Sequence, residues 1–339
     1  MGTYIAKVMP GPGEPLVDQQ REIPSPGPGD AVVRVRASSV NFHDRVNLLG
    51  LIPGPLPRVP MSDAAGEVVA VGDGVDALAV GDRVISAFHP GWLDGPPRPE
   101  VKRPMPGDTG DGWLQQFVCA PAATLTPAPS HLSDVEAASL VCAGVTAWSS
   151  LELGPHGTVG PGDVVVTLGT GGVSLFVVQL AKALGATVIL TSSSDDKLDV
   201  GRALGADHGV NYSTTPEWQK EVRRLTDGRG ADLVVDLGGP ATLDRSIHAT
   251  RMGGSVVVAG VLGGHHSAEV SVSRVMMQNI RLNGVTVGSV AAHRALAAFV
   301  EEHRITPQVS HTFDWDHVTD ALRVLDANEH VGKIGITVP

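Results

Sequence analysis

The chain has 339 residues, 42% hydrophobic and 18% charged, which excludes a disordered polypeptide and leaves room for two domains with separate cores. Its 36 acidic residues against 25 basic give a net charge of −11 with no Lys/Arg block to track a phosphate backbone, so neither nucleic acid nor anionic membrane is an expected partner. Cys119 and Cys142 are the only cysteines, the first residues lack the pattern of a secretory signal, and no apolar run approaches a membrane span, so a reducing cytoplasm is the expected location.

Gly2 opens like a myristoylation site, but Ala6 stands where that motif needs Ser or Thr, and no lipid anchor is expected. The first half is rich in Gly and Pro, with β-branched runs such as AVVRVRAS, GEVVAVG and GDRVISAF between turn signals, the texture of a compact, mostly β domain. From Ser130 the pattern becomes helical, and strands and helices then alternate. Strands are expected at 164–168, 187–191, 209–212, 233–236, 255–261 and 281–287, with helices near 174–184, 195–204, 216–227, 241–250 and 273–279. Six strands with intervening helices make an α/β, doubly wound parallel sheet. The tail adds a helix from Ala291, another over 315–327 and a last strand, KIGITV. It is expected to return to the first domain, so that a catalytic domain of residues 1–126 and 290–339 encloses a dinucleotide-binding domain of residues 127–289.

The most informative segment is 163–174, DVVVTLGTGGVS, an apolar run followed by Gly169, Thr170, Gly171, Gly172 and Val173 and then a helical pattern. A strand that reverses through glycines into a helix leaves unblocked backbone N–H groups where a pyrophosphate is held. Such turns also serve plain packing, but ATVILTSSS supplies the second strand and completes a βαβ unit. Ser174 stands where a third glycine is common, and its side chain is expected to loosen the helix slightly from the strand. At the end of the second strand, 23 positions after Gly169, an NAD site usually has an acid; this chain has Ser192, then Ser193, Ser194 and Lys197. Hydroxyls with an ammonium suit a 2′-phosphate and favour NADPH over NADH. The same residues allow another reading, in which Ser193 or Ser194 caps the next helix and Asp195 or Asp196 reaches the ribose.

Six segments in order, SVNFHD (39–44), PMSDAAGEVVAVGDGVDALAVGDRV (60–84), AASLVCAGVTAW (137–148), GTGGVSLFVVQLAKALGA (169–186), GADHGVNY (205–212) and HVGKIGI (330–336), resemble the medium-chain dehydrogenase/reductase superfamily, in its zinc-free, quinone-oxidoreductase-like branch. The resemblance runs essentially end to end and implies a GroES-like catalytic domain beside a Rossmann domain. Where the zinc enzymes of this family place their catalytic ligands, this chain has Asn41, Ser62 with Asp63, and Cys142. One thiol, an amide and a hydroxyl do not make the roughly three N/S ligands of a catalytic zinc. Segment 88–113, where relatives carry a structural zinc lobe, contains no cysteine, so no zinc is expected there either. Cys142 sits in a small apolar run and reads as a packing residue; His89, His265 and His266 read as loop histidines rather than ligands. The resemblance further implies Thr146 near the nicotinamide, Gly260 and Val261 beneath the ribose, Tyr212 by the adenosine and Lys333 near the phosphates. It also implies a homodimer paired along RLNGVTVG, an apolar edge that needs covering.

Hydride arriving at a carbonyl or conjugated acceptor leaves negative charge on oxygen, and some group must stabilise it. A Tyr followed four residues on by Lys is absent, since Tyr4 leads to Val8 and Tyr212 to Pro216. That leaves Asn41, His43 and Asp44, with hydroxyls from Ser62 and Thr146. An enone or quinone spreads the charge and needs less electrophilic help, so the expected activity is NADPH-dependent reduction of a conjugated carbonyl. Asn41 would donate to the acceptor oxygen, and His43 or water would return the proton, although His43 beside Asp44 also reads as a structural pair. Trp92 and Trp148 suit either the walls of a substrate pocket or the core. Two alternatives stay open: a metal-free alcohol dehydrogenase or carbonyl reductase acting on a saturated carbonyl, and a redox-silent NADPH-binding protein.

Overall fold

The computed structural model describes residues 2–264 and 267–339; His265 and His266 lie outside the described residues. The chain folds as two units, one built from residues up to Val145 and from Val287 onward, the other from Thr146–Thr286. The first unit is discontinuous, but it extends to Val145 rather than to 126. The helix Asp134–Ala138 packs on its sheet, where a Cβ on Gly335 would fall 2.2 Å from Val135 Cγ1. The following π-helical turn Leu140–Gly144 meets Leu296 of the tail helix Val290–His303. A change of texture at Ser130 marks where helices begin, not which core they cover.

In the second unit the strands run, in spatial order, His208–Asn211, Thr187–Ser192, Val164–Leu168, Ala231–Asp236, Thr250–Val258 and Arg281–Gly284, and every neighbouring pair is parallel. The three central strands are apolar on both faces because helices cover both sides, and Val166, Val234 and Val256 are fully buried. The order reverses beside Val164–Leu168, so the glycine turn after that strand stands at the switch point where such sheets bind nucleotides. The fifth strand starts earlier than its sequence suggests, at Thr250, and ends at Val258, ahead of a turn in which a Cβ on Gly260 would meet the Leu237 carbonyl at 2.6 Å. The last strand stops at Gly284.

In the first unit the eleven-residue strand Asp30–Val40 is the spine. It pairs antiparallel with Ala65–Val71, Phe117–Pro121 and Lys333–Thr337, and the final strand is flanked by a parallel edge strand, Val309–Asp314. That edge strand escaped the sequence reading because VSHTFD offers only two apolar residues, and its side chains are half-buried or exposed. The register that sets Val40 opposite Ile334 brings Lys333 alongside the end of the spine.

The glycines of AAGEVVAVG have a steric reason. A Cβ on Gly66 would lie 2.2 Å from the Arg34 carbonyl oxygen, and one on Gly72 would lie 1.8 Å from that of Gly27. Because backbone atoms cannot rotate aside, Gly66→Ala should cost about 1–3 kcal/mol of unfolding free energy in a urea titration; a stability equal to the parent's would show that the strands separate without penalty.

Candidate functional site

In the first unit, the spine strand ends at Val40 and the chain turns into the helix Phe42–Leu48, with Asn41 as its N-cap. Asp44 closes the turn. Its two carboxylate oxygens accept from the backbone N–H groups of Asn41, at 2.9 Å, and Ser62, at 3.0 Å. Burial, then the nearby Asp63 carboxylate, push the Asp44 carboxyl above its ordinary value, with His43 and the Asn41 N–H pulling the other way. Asp44 thus ties the helix start to segment 61–63 and has no oxygen directed at a reactant. Met61, which leads into that segment, is held at φ 72°, strained for a residue with a Cβ.

Lys333 lies at the centre of this arrangement, 4% exposed. Its ammonium donates to Asn41 Oδ1 at 2.5 Å and to the Val40 carbonyl at 3.0 Å, and it pairs with Asp63 Oδ2 at 3.5 Å. An ammonium carries only donors, so the carboxamide oxygen of Asn41 must face it and the NH2 must face the opposite way. That NH2 makes one long bond, 3.4 Å, to Ser62 Oγ. Asp63, fully buried, also accepts from Ser39 Oγ at 2.6 Å, and its carbonyl accepts from Ser38 Oγ at 2.6 Å. The resemblance had assigned Lys333 to the cofactor phosphates; the structure shows its ammonium surrounded by acceptors of its own unit.

The same geometry tests the fit of a zinc ion. Asn41 Oδ1 and Asp63 Oδ2 already serve an ammonium, and Ser62 Oγ donates to Asp63 Oδ1 at 3.3 Å. Burial first, and the Asp63 carboxylate second, push the Cys142 thiol well above its ordinary value, against the pull of Lys333. A neutral thiol, an amide and a carboxylate neutralised by a fixed cation do not fit a divalent metal. Among the described residues no group of three or more His, Cys, Asp and Glu side chains is placed to hold one.

His43, half-buried on the first turn of the helix, acts on its neighbour Asp44 electrostatically, while both Asp44 oxygens accept main-chain N–H groups. Its Nε2 lies 2.8 Å from Asn47 Nδ2 and 3.8 Å from Oδ2 of Asp108, and its ring meets Phe88 edge-on at 5.0 Å. Phe88 also lines a small pocket with Ala87, Val141, Val145, Val287 and His293. Burial holds the His293 imidazole down at a pKa of about 3, its Nε2 has no hydrogen-bond partner, and Val287 sits at φ 56°, a strained value for a β-branched residue. Sequence reasoning found neither Phe88 nor His293, since both read as ordinary core and helix residues. Trp92 belongs to this unit, its indole donating to the Gly95 carbonyl at 2.9 Å, whereas Trp148 belongs to the other and lies beside Glu152.

In the second unit, Gly169 takes φ 81° and donates to the Thr191 carbonyl, and the helix Gly172–Ala183 begins at Gly171 with no side chain capping it. Its first N–H groups are therefore available to an anion, with Thr170 and Val173 in the same turn. The Ser174 hydroxyl donates to the Leu168 carbonyl at 2.8 Å, so this residue ties the helix to the strand instead of loosening it. Ser192 ends the second strand, buried, and Ser194 accepts from the Lys197 N–H as the N-cap of the helix Asp195–Ala203. Asp195 is bonded by Asn211 Nδ2 at 2.9 Å. Ser193 is exposed, and burial lowers the Lys197 ammonium from its ordinary value. Tyr212, exposed, donates its N–H to the Ser192 carbonyl, and Gly260 and exposed Val261 follow the fifth strand. Thr146 is buried and its carbonyl accepts from Ser150 Oγ.

Comparison with known proteins matches residues 27–130 to the alcohol dehydrogenase GroES-like domain and 172–302 to the zinc-binding dehydrogenase family. A zinc-type alcohol dehydrogenase-like protein of Schizosaccharomyces pombe is 36% identical over 329 residues, covering 95% of each chain. The chain belongs to the medium-chain dehydrogenase/reductase superfamily. It is an oxidoreductase, and the family works with a nicotinamide cofactor. The 2-haloacrylate reductase of a Burkholderia species is 35% identical, covering 74% of this chain and 70% of its own length. Among solved structures, an alcohol dehydrogenase from Sinorhizobium meliloti superposes with a TM-score of 0.92 at 36% identity, covering 100% and 99% of the two chains. An NAD-dependent alcohol dehydrogenase does so with 0.89 at 35%, covering 99% and 100%. Among the described residues no helix is long and apolar enough to cross a membrane.

The Lys333–Asp63 pair yields a direct test. Lys333→Met leaves a fully buried carboxylate without its cation and should lower the unfolding free energy by about 3–5 kcal/mol; a urea titration showing less than about 1 kcal/mol would mean that the serine hydroxyls alone satisfy Asp63.

Proposed function

We propose that the protein is an NADPH-dependent, zinc-independent reductase of conjugated carbonyls, enones or quinones. The observation that carries this reading is the Lys333 ammonium, which occupies the acceptors around Asn41 and turns the carboxamide N–H groups away from itself. A neutral donor of fixed orientation suits an acceptor whose developing charge is already spread by conjugation. A bound nicotinamide supplies hydride to the conjugated carbon or the quinone. Asn41 then donates to the acceptor oxygen, Asp44 holds the Asn41 turn, and His43 returns the proton. The relative named 2-haloacrylate reductase, whose substrate name describes a conjugated acid, supports an activated acceptor.

For the cofactor, Gly169, Thr170, Gly171, Gly172 and Val173 would hold the pyrophosphate, and Ser192, Ser193 and Lys197 the 2′-phosphate. The Asp195 carboxylate accepts from Asn211, and no acid stands at the strand end itself, where Ser192 lies, which supports NADPH. A second reading, reduction of a saturated carbonyl with NADH, draws support from the NAD-dependent alcohol dehydrogenase whose structure is similar.

Steady-state assays with both cofactors against a quinone, an enone and simple aldehydes and ketones separate these readings. We expect kcat/KM for NADPH with a conjugated acceptor to exceed that of every other pairing by about tenfold or more, to survive chelation, and to fall by about 10²–10³-fold in Asn41→Ala. A tenfold preference for NADH, or activity lost to a chelator and restored by zinc, would overturn it. We also propose a homodimer joined at the edge strand Arg281–Gly284, where Val272, Met276, Met277 and Leu282 expose apolar surface; sedimentation of the protein as a monomer at micromolar concentration would remove that reading.

A further inference from the structure

We propose that Asp108 is a positioning residue for proton return, holding the Nε2 edge of His43 so that the Nδ1 edge delivers the proton. The inference rests on the reading of His43 as the proton donor and adds a partner that the sequence did not point to.

Asp108 is 1% exposed, and neither of its carboxylate oxygens has a hydrogen-bond partner among the described residues. A buried carboxylate left in that state is costly unless a charged group compensates it. The group within ion-pairing distance is His43, 3.8 Å away through Nε2, where an imidazolium would compensate the carboxylate. The loop that presents Asp108 is built to point inward. The Asp108 and Thr109 N–H groups both donate to the Met105 carbonyl, the Met105 N–H donates to Thr109 Oγ1 at 2.8 Å, and Gly107 N–H donates to the Gly110 carbonyl. Gly107 adopts φ 78°, and a Cβ there would fall 2.9 Å from the Met61 nitrogen, so the loop is pressed against the segment that carries Ser62 and Asp63. Phe88 meets the ring edge-on and Asn47 lies at the same Nε2 edge as Asp108, and both restrict its rotation.

An imidazolium Nε2–H requires an acceptor beside it, so the Asn47 carboxamide must turn its oxygen, which has no other partner among the described residues, toward the ring; with Nε2–H held between that oxygen and Asp108, the proton that leaves is the one on Nδ1. In this step the Nδ1–H bond breaks, an O–H or C–H bond forms on the reduced acceptor, and the neutral imidazole recovers a proton from water. The charged groups around His43 are Asp44, whose oxygens serve two backbone N–H groups, and Arg58, which feels Asp108 electrostatically while donating to the carbonyls of Gly107, Pro55 and Asn47. Arg58 supplies the competing account, in which Asp108 merely balances a buried guanidinium.

A double-mutant cycle in the NADPH oxidation assay decides between them. Asp108→Asn should lower kcat/KM by about tenfold to a hundredfold and raise the solvent deuterium isotope effect on kcat, because proton delivery becomes slower. Asp108→Glu should restore part of the loss. In a His43→Gln background, Asp108→Asn should cost less than about twofold, since its effect passes through the imidazole. An equal loss in both backgrounds, with an unchanged isotope effect, would assign Asp108 to Arg58 and overturn the inference while leaving His43 as the acid. Full activity of His43→Gln would instead remove the donor reading on which the inference stands. Should Asp108→Asn not fold, Asp108→Glu in the two backgrounds is read against the same criterion.

Discussion

The buried Lys333 ammonium organises the end of the spine strand in the first unit. Lys333 is brought to the end of the spine strand by antiparallel pairing of Val40 with Ile334, and from there it reaches a main-chain carbonyl, a carboxamide and a carboxylate at once. Each partner is thereby fixed: Asn41 in amide orientation, Asp63 by an ion pair, and the strand end in position. Buried ions of this kind are weak sources of net stability, because desolvation offsets most of the attraction. Their effect is to fix geometry, and here the side chains held by Lys333 stand at positions where zinc enzymes of the same family place ligands.

Around that centre the site is held under constraint. Asp44 closes a capping box and anchors Ser62 at once, so the Asn41 turn and segment 61–63 move as one piece. Met61 and Val287 hold left-handed backbone conformations that residues with a Cβ adopt only when their surroundings impose them. Both are buried, Met61 next to Ser62 and Val287 in the wall of the pocket that includes Phe88. Strain at such points keeps neighbouring groups in place before a reactant arrives.

The nucleotide-binding unit follows a different logic, with backbone taking the place of side chains. An uncapped helix N-terminus, a glycine in a left-handed turn and a switch in strand order are the features on which the proposed pyrophosphate site rests. Ser174 shows how a departure from the glycine pattern is absorbed, since its hydroxyl bonds the carbonyl of Leu168 and pins the helix where a third glycine would have allowed closer packing.

Local signals were enough for the Rossmann sheet, whose apolar strands and glycine turn are written in contiguous residues, and for the family, whose motifs are short and linear. The edge strand Val309–Asp314 and the attachment of Asp134–Ala138 were not legible, because each depends on a partner more than a hundred residues away or on weak alternation. The site divides in the same way. Asn41, His43 and Asp44 stand together in one four-residue motif, and the residues at the family's zinc-ligand positions can be read along the chain. That Lys333 serves Asn41 across 292 residues, and that the carboxylate facing His43 Nε2 is Asp108, is settled by strand register and loop closure. Sequence spacing reports which groups share a turn; only the tertiary fold decides which charges, far apart in the chain, share a low-dielectric interior and must therefore neutralise one another.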